Sequence, residues 1–245
     1  MSKTDFINLQ VNGRLFPSWV MQNFKKFYIE QIKRDIGSDP CAVGEGKLTL
    51  RKYQEFVGKF MDYQSPYKSI MLYHGLGSGK TITAINVYMS LFKFSNMWNV
   101  FVLIKATLEN KPWIEDLNRW LDQDNKKEMM ANIKFIHYDS PFADKDFLQV
   151  IKSVDASRKS IFIIDEAHNF ITNVYNNITG QTGRRASSIY DYMVREKKEN
   201  EDTRIILISA TPIVNRPYEL ALIYNLLRPG IFPNSELKFE ETYIT

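Results

Sequence analysis

Five short apolar runs punctuate the chain: Ser69 to Tyr73, Val100 to Ile104, Ile133 to Tyr138, Ile161 to Ile164 and Ile205 to Ile208. Each is four to six residues long and rich in Ile, Val, Leu and Phe, as strands buried on both faces should be. Between the runs lie amphipathic segments with helical spacing: Ile82 to Phe92, Trp113 to Leu121, Phe147 to Val154 and Ile189 to Val194. Asn110 is placed to cap the second of these, with Pro112 inside its first turn. Strand and helix alternate, which predicts an α/β fold: a parallel sheet sandwiched by helices.

Upstream, Tyr53, Phe56, Val57 and Phe60 recur at i, i+3, i+4, i+7 and mark the buried face of another helix. Val20, Phe24, Phe27, Tyr28 and Ile32 mark a further helical face, ended by Gly37 to Pro40 and followed by the Gly44-Glu45-Gly46 linker. Residues 1–46 are therefore expected to form an N-terminal helical extension, and 47–245 a single α/β lobe. Thr172 to Arg185 (TNVYNNITGQTGRR) is polar and Gly-containing and reads as an exposed, mobile loop.

Composition narrows the class without choosing the chemistry. With 44% hydrophobic and 24% charged residues, the 245-residue chain can bury a real core. A net charge of +4 permits a nucleic-acid partner but does not demand one. One cysteine, Cys41, excludes an internal disulfide. No apolar run approaches the roughly 20 residues of a membrane span, and the first residues lack the apolar core of a secretory signal. An intracellular protein is expected.

Ligands of open α/β sheets sit beyond the carboxyl ends of the strands, so the residues after each run are the ones to weigh. After the first come His74, Gly75, Leu76, Gly77, Ser78, Gly79, Lys80 and Thr81. Glycines at 77 and 79 allow the backbone to curl around an anion at the start of a helix. Lys80 would then reach the β- and γ-phosphates of ATP and the Thr81 hydroxyl would ligate Mg²⁺. The strict G-x-x-x-x-G-K-[ST] pattern has glycine where this chain has His74, and a Gly-rich turn with a surface lysine is the plainer alternative. After the fourth run come Asp165, Glu166, Ala167 and His168. A carboxylate at a buried strand end is costly unless paired or metal-bound. Asp165 suits Mg²⁺ through its water shell, and Glu166 suits the orientation and deprotonation of an attacking water; an acidic strand-end cap is the alternative. After the fifth come Ser209, Ala210, Thr211 and Pro212, which alone could be a helix cap. Among basic pairs, Arg184-Arg185 is the candidate for phosphate contact, the others being expected as solvated surface. His137 is expected to be a core or edge histidine, and Trp113 and Trp120 core residues. No Cys/His cluster suggests zinc.

GSGKT, DEAH and SAT, in this order, resemble motifs I, II and III of the first RecA-like lobe of superfamily 2 helicases and translocases. The resemblance continues in TLRKYQ (Thr49 to Gln54), similar to the adenine-reading Q motif, which implies that Gln54 contacts the base. KATLENKPWIEDLNRW (Lys105 to Trp120) resembles motif Ia of the chromatin-remodeller branch, with Trp113 and Glu115 matching its W-x-E and Lys105 and Thr107 implied to grip a nucleic-acid backbone. SATPIVNRPYELALIYNLLRPGIF (Ser209 to Phe232) is similar to that branch's long motif III. His168, Ser209, Ala210 and Thr211 are implied to couple nucleotide state to motif III. Within the family, SATPIVN, NLLRPG and His74 resemble the nucleoside triphosphatase I branch of poxviruses and other large DNA viruses. The DEAH form resembles their early transcription factor small subunit. The similarity spans about residues 47 to 235 and implies an ATPase driven by duplex DNA, partnered by viral RNA polymerase or transcription factor subunits in host cytoplasm or virion. A non-hydrolysing docking module and the motor lobe of a restriction or repair complex are the alternatives. Motifs IV to VI and the arginine fingers of such motors fall outside these residues, so weak hydrolysis is expected from this lobe alone.

Overall fold

The computed structural model describes residues 24–27, 49–75, 77–180, 183–211 and 216–244. Leu76, the Gly44–Gly46 linker, the Gly37–Pro40 stop, residues 212–215 and most of the expected extension lie outside the described residues. Phe24 and Phe27 are described, and they pack on Phe56 and Phe60.

The helices and strands run in the order α1 (Lys52–Phe60), β1 (Ser69–Tyr73), α2 (Lys80–Phe92), β2 (Trp98–Ile104), α3 (Glu115–Trp120) and α4 (Lys126–Ala131). Then follow β3 (Ile133–His137), α5 (Ala143–Ser153), β4 (Lys159–Ile164), α6 (Ala167–Ile178), α7 (Arg185–Glu199), β5 (Arg204–Ser209), α8 (Pro217–Leu227) and α9 (Glu236–Tyr243). The five strands form one parallel sheet in the order β1-β5-β4-β2-β3. All five apolar runs hold strands: β2, β4 and β5 gain a residue or two at the ends, and β3 stops at His137, one residue short of the expected Tyr138.

Alternate strand residues serve opposite faces, as the two-residue period requires. Phe101, Leu103, Phe162, Ile164, Ile205 and Leu207 pack under α5 to α9. Val100, Val102, Ile161, Ile163, Ile206 and Ile208 pack under α1 to α4. Where neither face is open to water, as in β2, β4 and β5, no polar residue interrupts the apolar run, whereas the edge strand β3 carries Lys134 and His137 within its run.

Two expectations are corrected. The expected loop Thr172 to Arg185 begins as helix: α6 continues to Ile178, because Phe170, Ile171, Val174 and Tyr175 form one buried stripe and the asparagines lie outside it. The Asn177 side-chain oxygen then accepts from Ala186 N and Ser187 N, tying the first turn of α7 to the end of α6. Asn110 does not cap a helix. It lies in an irregular turn, Glu109–Ile114, in which Lys111 is extended (φ −127°, ψ 121°) ahead of Pro112, and the regular helix starts only at Glu115. A residue before proline is disfavoured in the helical region, so the proline delays the helix.

The amino-terminal edge of the sheet gathers cations. Arg204 is 1% exposed and donates from one terminal nitrogen to the carbonyls of Asp62 (3.0 Å) and Tyr63 (3.2 Å). Lys159 and Lys68 reach Asp202 at 2.7 and 3.6 Å, and Lys197 donates to Thr203 O at 2.7 Å. Burial, and then the charge of Arg204, pushes Lys68 and Lys197 each down to about 8. Among the described residues no helix is long and apolar enough to cross a membrane.

Candidate nucleotide site and nucleic-acid surface

β1, β5 and β4 lie side by side, so the segments that follow them meet at one edge. Tyr73 pairs with Ser209 and Ile164 with Leu207, which brings the glycine loop, the SAT segment and the DEAH segment to the same level within about one residue. Residues 85 positions apart in the chain thereby become neighbours.

The loop after β1 turns twice through the left-handed region, at Gly77 (φ 73°) and Gly79 (φ 75°). A side chain is unfavourable at both, and at Gly79 an added Cβ would also stand 2.7 Å from Gln54 Nε2. Lys80 opens α2 and its ammonium returns to the loop, donating to the carbonyls of His74 (3.1 Å) and Gly75 (3.2 Å). Thr81 is half-buried in the first turn of α2, and the Ser78 hydroxyl oxygen is buried without a partner.

Helix α1 clamps this loop from outside. The Tyr53 hydroxyl donates to Ser78 O, and its ring meets His74 edge-on at 5.4 Å. Burial, reinforced by the nearby Lys80 charge, lowers the His74 pKa and keeps the ring neutral at neutral pH. The position where the strict motif has glycine is thus filled by a packed aromatic. Gln54 is 4% exposed; its Oε1 accepts from Arg51 N (2.8 Å) and its Nε2 donates to Gly79 O (3.2 Å). One Nε2 hydrogen is left for a base. Tyr53 went unnoticed as a site residue, since in sequence it is one more aromatic on a helical stripe.

Asp165 directly follows β4, 6% exposed, with its amide donating to Leu103 O. Its Oδ1 accepts from Glu166 N at 2.9 Å and its Oδ2 from the Trp113 indole Nε1 at 2.8 Å. Burial raises its pKa; the Trp113 and Glu166 hydrogen bonds and the Lys80 charge oppose the rise. The Lys80 charge thus acts on Asp165 in the direction that favours the ionised carboxylate. A buried carboxylate held by two N–H groups still has lone pairs free, and a single such group beside Glu166 fits Mg²⁺, which takes one or two carboxylates and keeps several waters. Among the described residues no group of three or more His, Cys, Asp or Glu is placed to hold a metal ion.

Glu166 is in the left-handed region (φ 48°, ψ 49°), alone in this among the described non-glycine residues. Such a conformation costs roughly 1–2 kcal/mol, and strain of this kind collects at functional sites. Its carboxylate lies 3.4 Å from His168 Nδ1, which is 2.9 Å from Ser209 Oγ. Ser209 Oγ donates to Thr211 O (2.8 Å) and accepts from Thr211 N (3.0 Å). A serine hydroxyl has one proton; with that proton on Thr211 O, His168 must carry its own on Nδ1. The chain Glu166–His168–Ser209–Thr211 links the DEAH and SAT segments directly, and Ala210 lies within it, half-buried.

The candidate nucleic-acid residues lie further along the same edge. Lys105 ends β2 and Thr107 is exposed on the following turn, where Ala106 N donates to Asp139 after β3. Arg184 and Arg185 are exposed at the start of α7, and Arg185 donates to Pro141 O at 2.9 Å. The two groups therefore flank the residues after β3. His137 is on the edge strand against Glu109, as an edge histidine should be.

Comparison with known proteins places this geometry. A model of the family described as "Type III restriction enzyme, res subunit" matches residues 47–214. The chain belongs to this helicase-like ATPase family. A mimivirus protein named as an ATP-dependent RNA helicase (Acanthamoeba polyphaga mimivirus) is 54% identical over 98% of the chain and 30% of its own length. Nucleoside triphosphatase I of Choristoneura biennis entomopoxvirus is 28% identical over 81% of the chain and 29% of its own length. The helicase lobe thus spans about 30% of the length of the curated relatives it matches. The Sulfolobus solfataricus SWI2/SNF2 ATPase core, solved with dsDNA, superposes with a TM-score of 0.55 at 23% identity, over 80% of the chain and 39% of that structure. That likeness shows the RecA-like fold.

Proposed function

We propose that this lobe binds Mg·ATP and supplies half of the active site of a nucleic-acid-dependent ATPase motor acting on duplex DNA. What supports it most is the placing of Lys80, Asp165 and the strained Glu166 at one edge of the sheet, after β1 and β4, the two strands that flank β5. The loop amides and Ser78 cradle the phosphates, Lys80 leaves the His74 and Gly75 carbonyls to pair with the β- and γ-phosphates, and Gln54 keeps one hydrogen for the adenine. Thr81 and Asp165 would hold Mg²⁺, which supplies neutralisation of phosphate charge when bound. Glu166 orients the attacking water and takes its proton. His168 reports the position of Glu166 to Ser209 and Thr211 through the chain of short contacts. Lys105, Thr107, Arg184 and Arg185 engage the nucleic-acid backbone; duplex DNA as the track rests on the remodeller-like motif Ia and on the DNA-bound structural neighbour. Viral polymerase or transcription-factor partners, and a place in host cytoplasm or virion, rest on the motif resemblance and the viral relatives. Residues 47–245 act as the lobe, and residues 1–46 as an appended extension.

Phosphate release by the full-length protein, measured with and without duplex DNA, tests the proposal. Stimulation by DNA is expected, with turnover falling about 100-fold or more in Glu166→Gln while nucleotide binding persists. Wild-type turnover unmoved by duplex, single strand or RNA would contradict the motor and favour a docking module.

A further inference from the structure

We propose that Trp113 is a positioning residue that fixes the Asp165 carboxylate and joins it mechanically to the segment bearing Lys105 and Thr107. This rests on the nucleotide-site reading above. The indole Nε1 donates to Asp165 Oδ2 at 2.8 Å, with Trp113 1% and Asp165 6% exposed. The other carboxylate oxygen takes the amide of Glu166, which is the next residue and moves with it. Trp113 is thus the donor that references the carboxylate to a different part of the chain, 52 residues away in sequence.

A core tryptophan is the plain alternative, its N–H meeting whatever acceptor is near. The other buried indoles argue against it. Trp98 and Trp120 bury their Nε1 atoms with no hydrogen-bond partner, so a buried indole in this protein does not require an acceptor. A buried carboxylate, by contrast, is costly without donors. The need therefore belongs to Asp165. The Trp113 ring is itself braced edge-on by Phe135 at 6.4 Å. Its segment follows β2 directly, through the exposed turn of Lys105 to Leu108, and is tied to the edge strand by Glu109 against His137. Trp113 and the turn at residues 105–108 thus belong to one segment, held midway by Glu109 on His137, through which a strand bound at Lys105 or Thr107 acts on the indole and then on the carboxylate.

Trp113→Phe keeps the ring and removes the donor; Trp120→Phe is the matched control. The readout is binding of a fluorescent ATP analogue to the full-length protein as Mg²⁺ is titrated, alongside binding in EDTA. Trp113→Phe is expected to raise the Mg²⁺ concentration for half-maximal effect about 10-fold, the loss of one charge-assisted hydrogen bond. EDTA binding should match wild type, the melting temperature should fall because the buried carboxylate loses a donor, and Trp120→Phe should match wild type in its Mg²⁺ dependence. A wild-type Mg²⁺ dependence in Trp113→Phe, or an equal shift in Trp120→Phe, overturns the proposal while leaving the nucleotide site standing. No Mg²⁺ effect in the wild type overturns both. Independently of any variant, the indole N–H resonance of Trp113 in ¹⁵N-labelled protein should shift on adding Mg·ATP while those of Trp98 and Trp120 stay; an unmoved Trp113 resonance also overturns it.

Discussion

Both ends of the sheet bury charge, and they treat it in opposite ways. At the amino-terminal edge, Arg204 is anchored on the carbonyls of Asp62 and Tyr63 while Asp202 is shared by Lys68 and Lys159. Among the described residues there the backbone takes no left-handed conformation, and the cations hold strand starts to the ends of α1 and α7, although Arg204 Nε and Nη1 are buried without a partner. At the carboxyl-terminal edge, Lys80 rests on loop carbonyls, Asp165 keeps lone pairs free, Ser78 Oγ has no partner, and Gly77, Gly79 and Glu166 take left-handed conformations. One edge closes the fold; the other is poised to receive a ligand. Buried charge alone therefore does not mark a site. Nor does unspent hydrogen-bonding capacity, which Arg204 Nε and Nη1 also have; what sets the carboxyl-terminal edge apart is buried charge joined to backbone strain.

Substitutions at the two edges should separate these roles. The largest effect is expected from Arg204→Ala, which leaves Lys68, Lys159 and Asp202 without their neighbour. Stability should fall by about 3 kcal/mol in urea denaturation, for a lost buried side chain and two carbonyls left without their donor, with nucleotide affinity of the folded fraction unchanged. Lys80→Ala should do the reverse: the urea midpoint stays, and Mg·ATP affinity falls roughly 100-fold, or about 2.7 kcal/mol. Loss of affinity in Arg204→Ala, or of stability alone in Lys80→Ala, would break the distinction.

A smaller effect comes from pH. Lys68 and Lys197 titrate near 8 in the folded lobe against 10.5 for an ordinary lysine. Between those values the unfolded chain binds more protons, so stability rises with pH. A gain on the order of 1 kcal/mol is expected between pH 7.5 and 9.5, read from urea midpoints; a fall would contradict the cationic account of this edge. The smallest effect is that of Tyr53→Phe, which removes the hydroxyl on Ser78 O. Nucleotide affinity should weaken about 3- to 5-fold, for one neutral hydrogen bond.

The inner strands were legible because a sheet covered on both faces demands apolar runs, and so was the position of Lys80, Thr81, Asp165 and Glu166 just beyond strand ends, because each pair follows such a run. Helix α6 was obscured by Asn173, Asn176 and Asn177, although Ala167, Phe170, Ile171, Val174 and Tyr175 keep perfect helical spacing beneath them. The periodicity was present and the polar content outweighed it. The bond between Trp113 and Asp165 had no such signal, because a contact across 52 residues depends on the sheet order placing β2 beside β4. The same holds for the clamp of Tyr53 and Gln54 on the glycine loop and for the cation cluster, each drawn from separate elements that only the fold brings together.

Calorimetric titration of ATP into wild type and Asp165→Asn, each with and without Mg²⁺, addresses the central claim most directly. Wild type should bind ATP at least 10-fold more tightly with the metal, and Asp165→Asn should lose that gain while keeping its metal-free affinity. A metal-dependent gain that survives in Asp165→Asn would contradict a shared triphosphate–magnesium centre at this edge of the sheet.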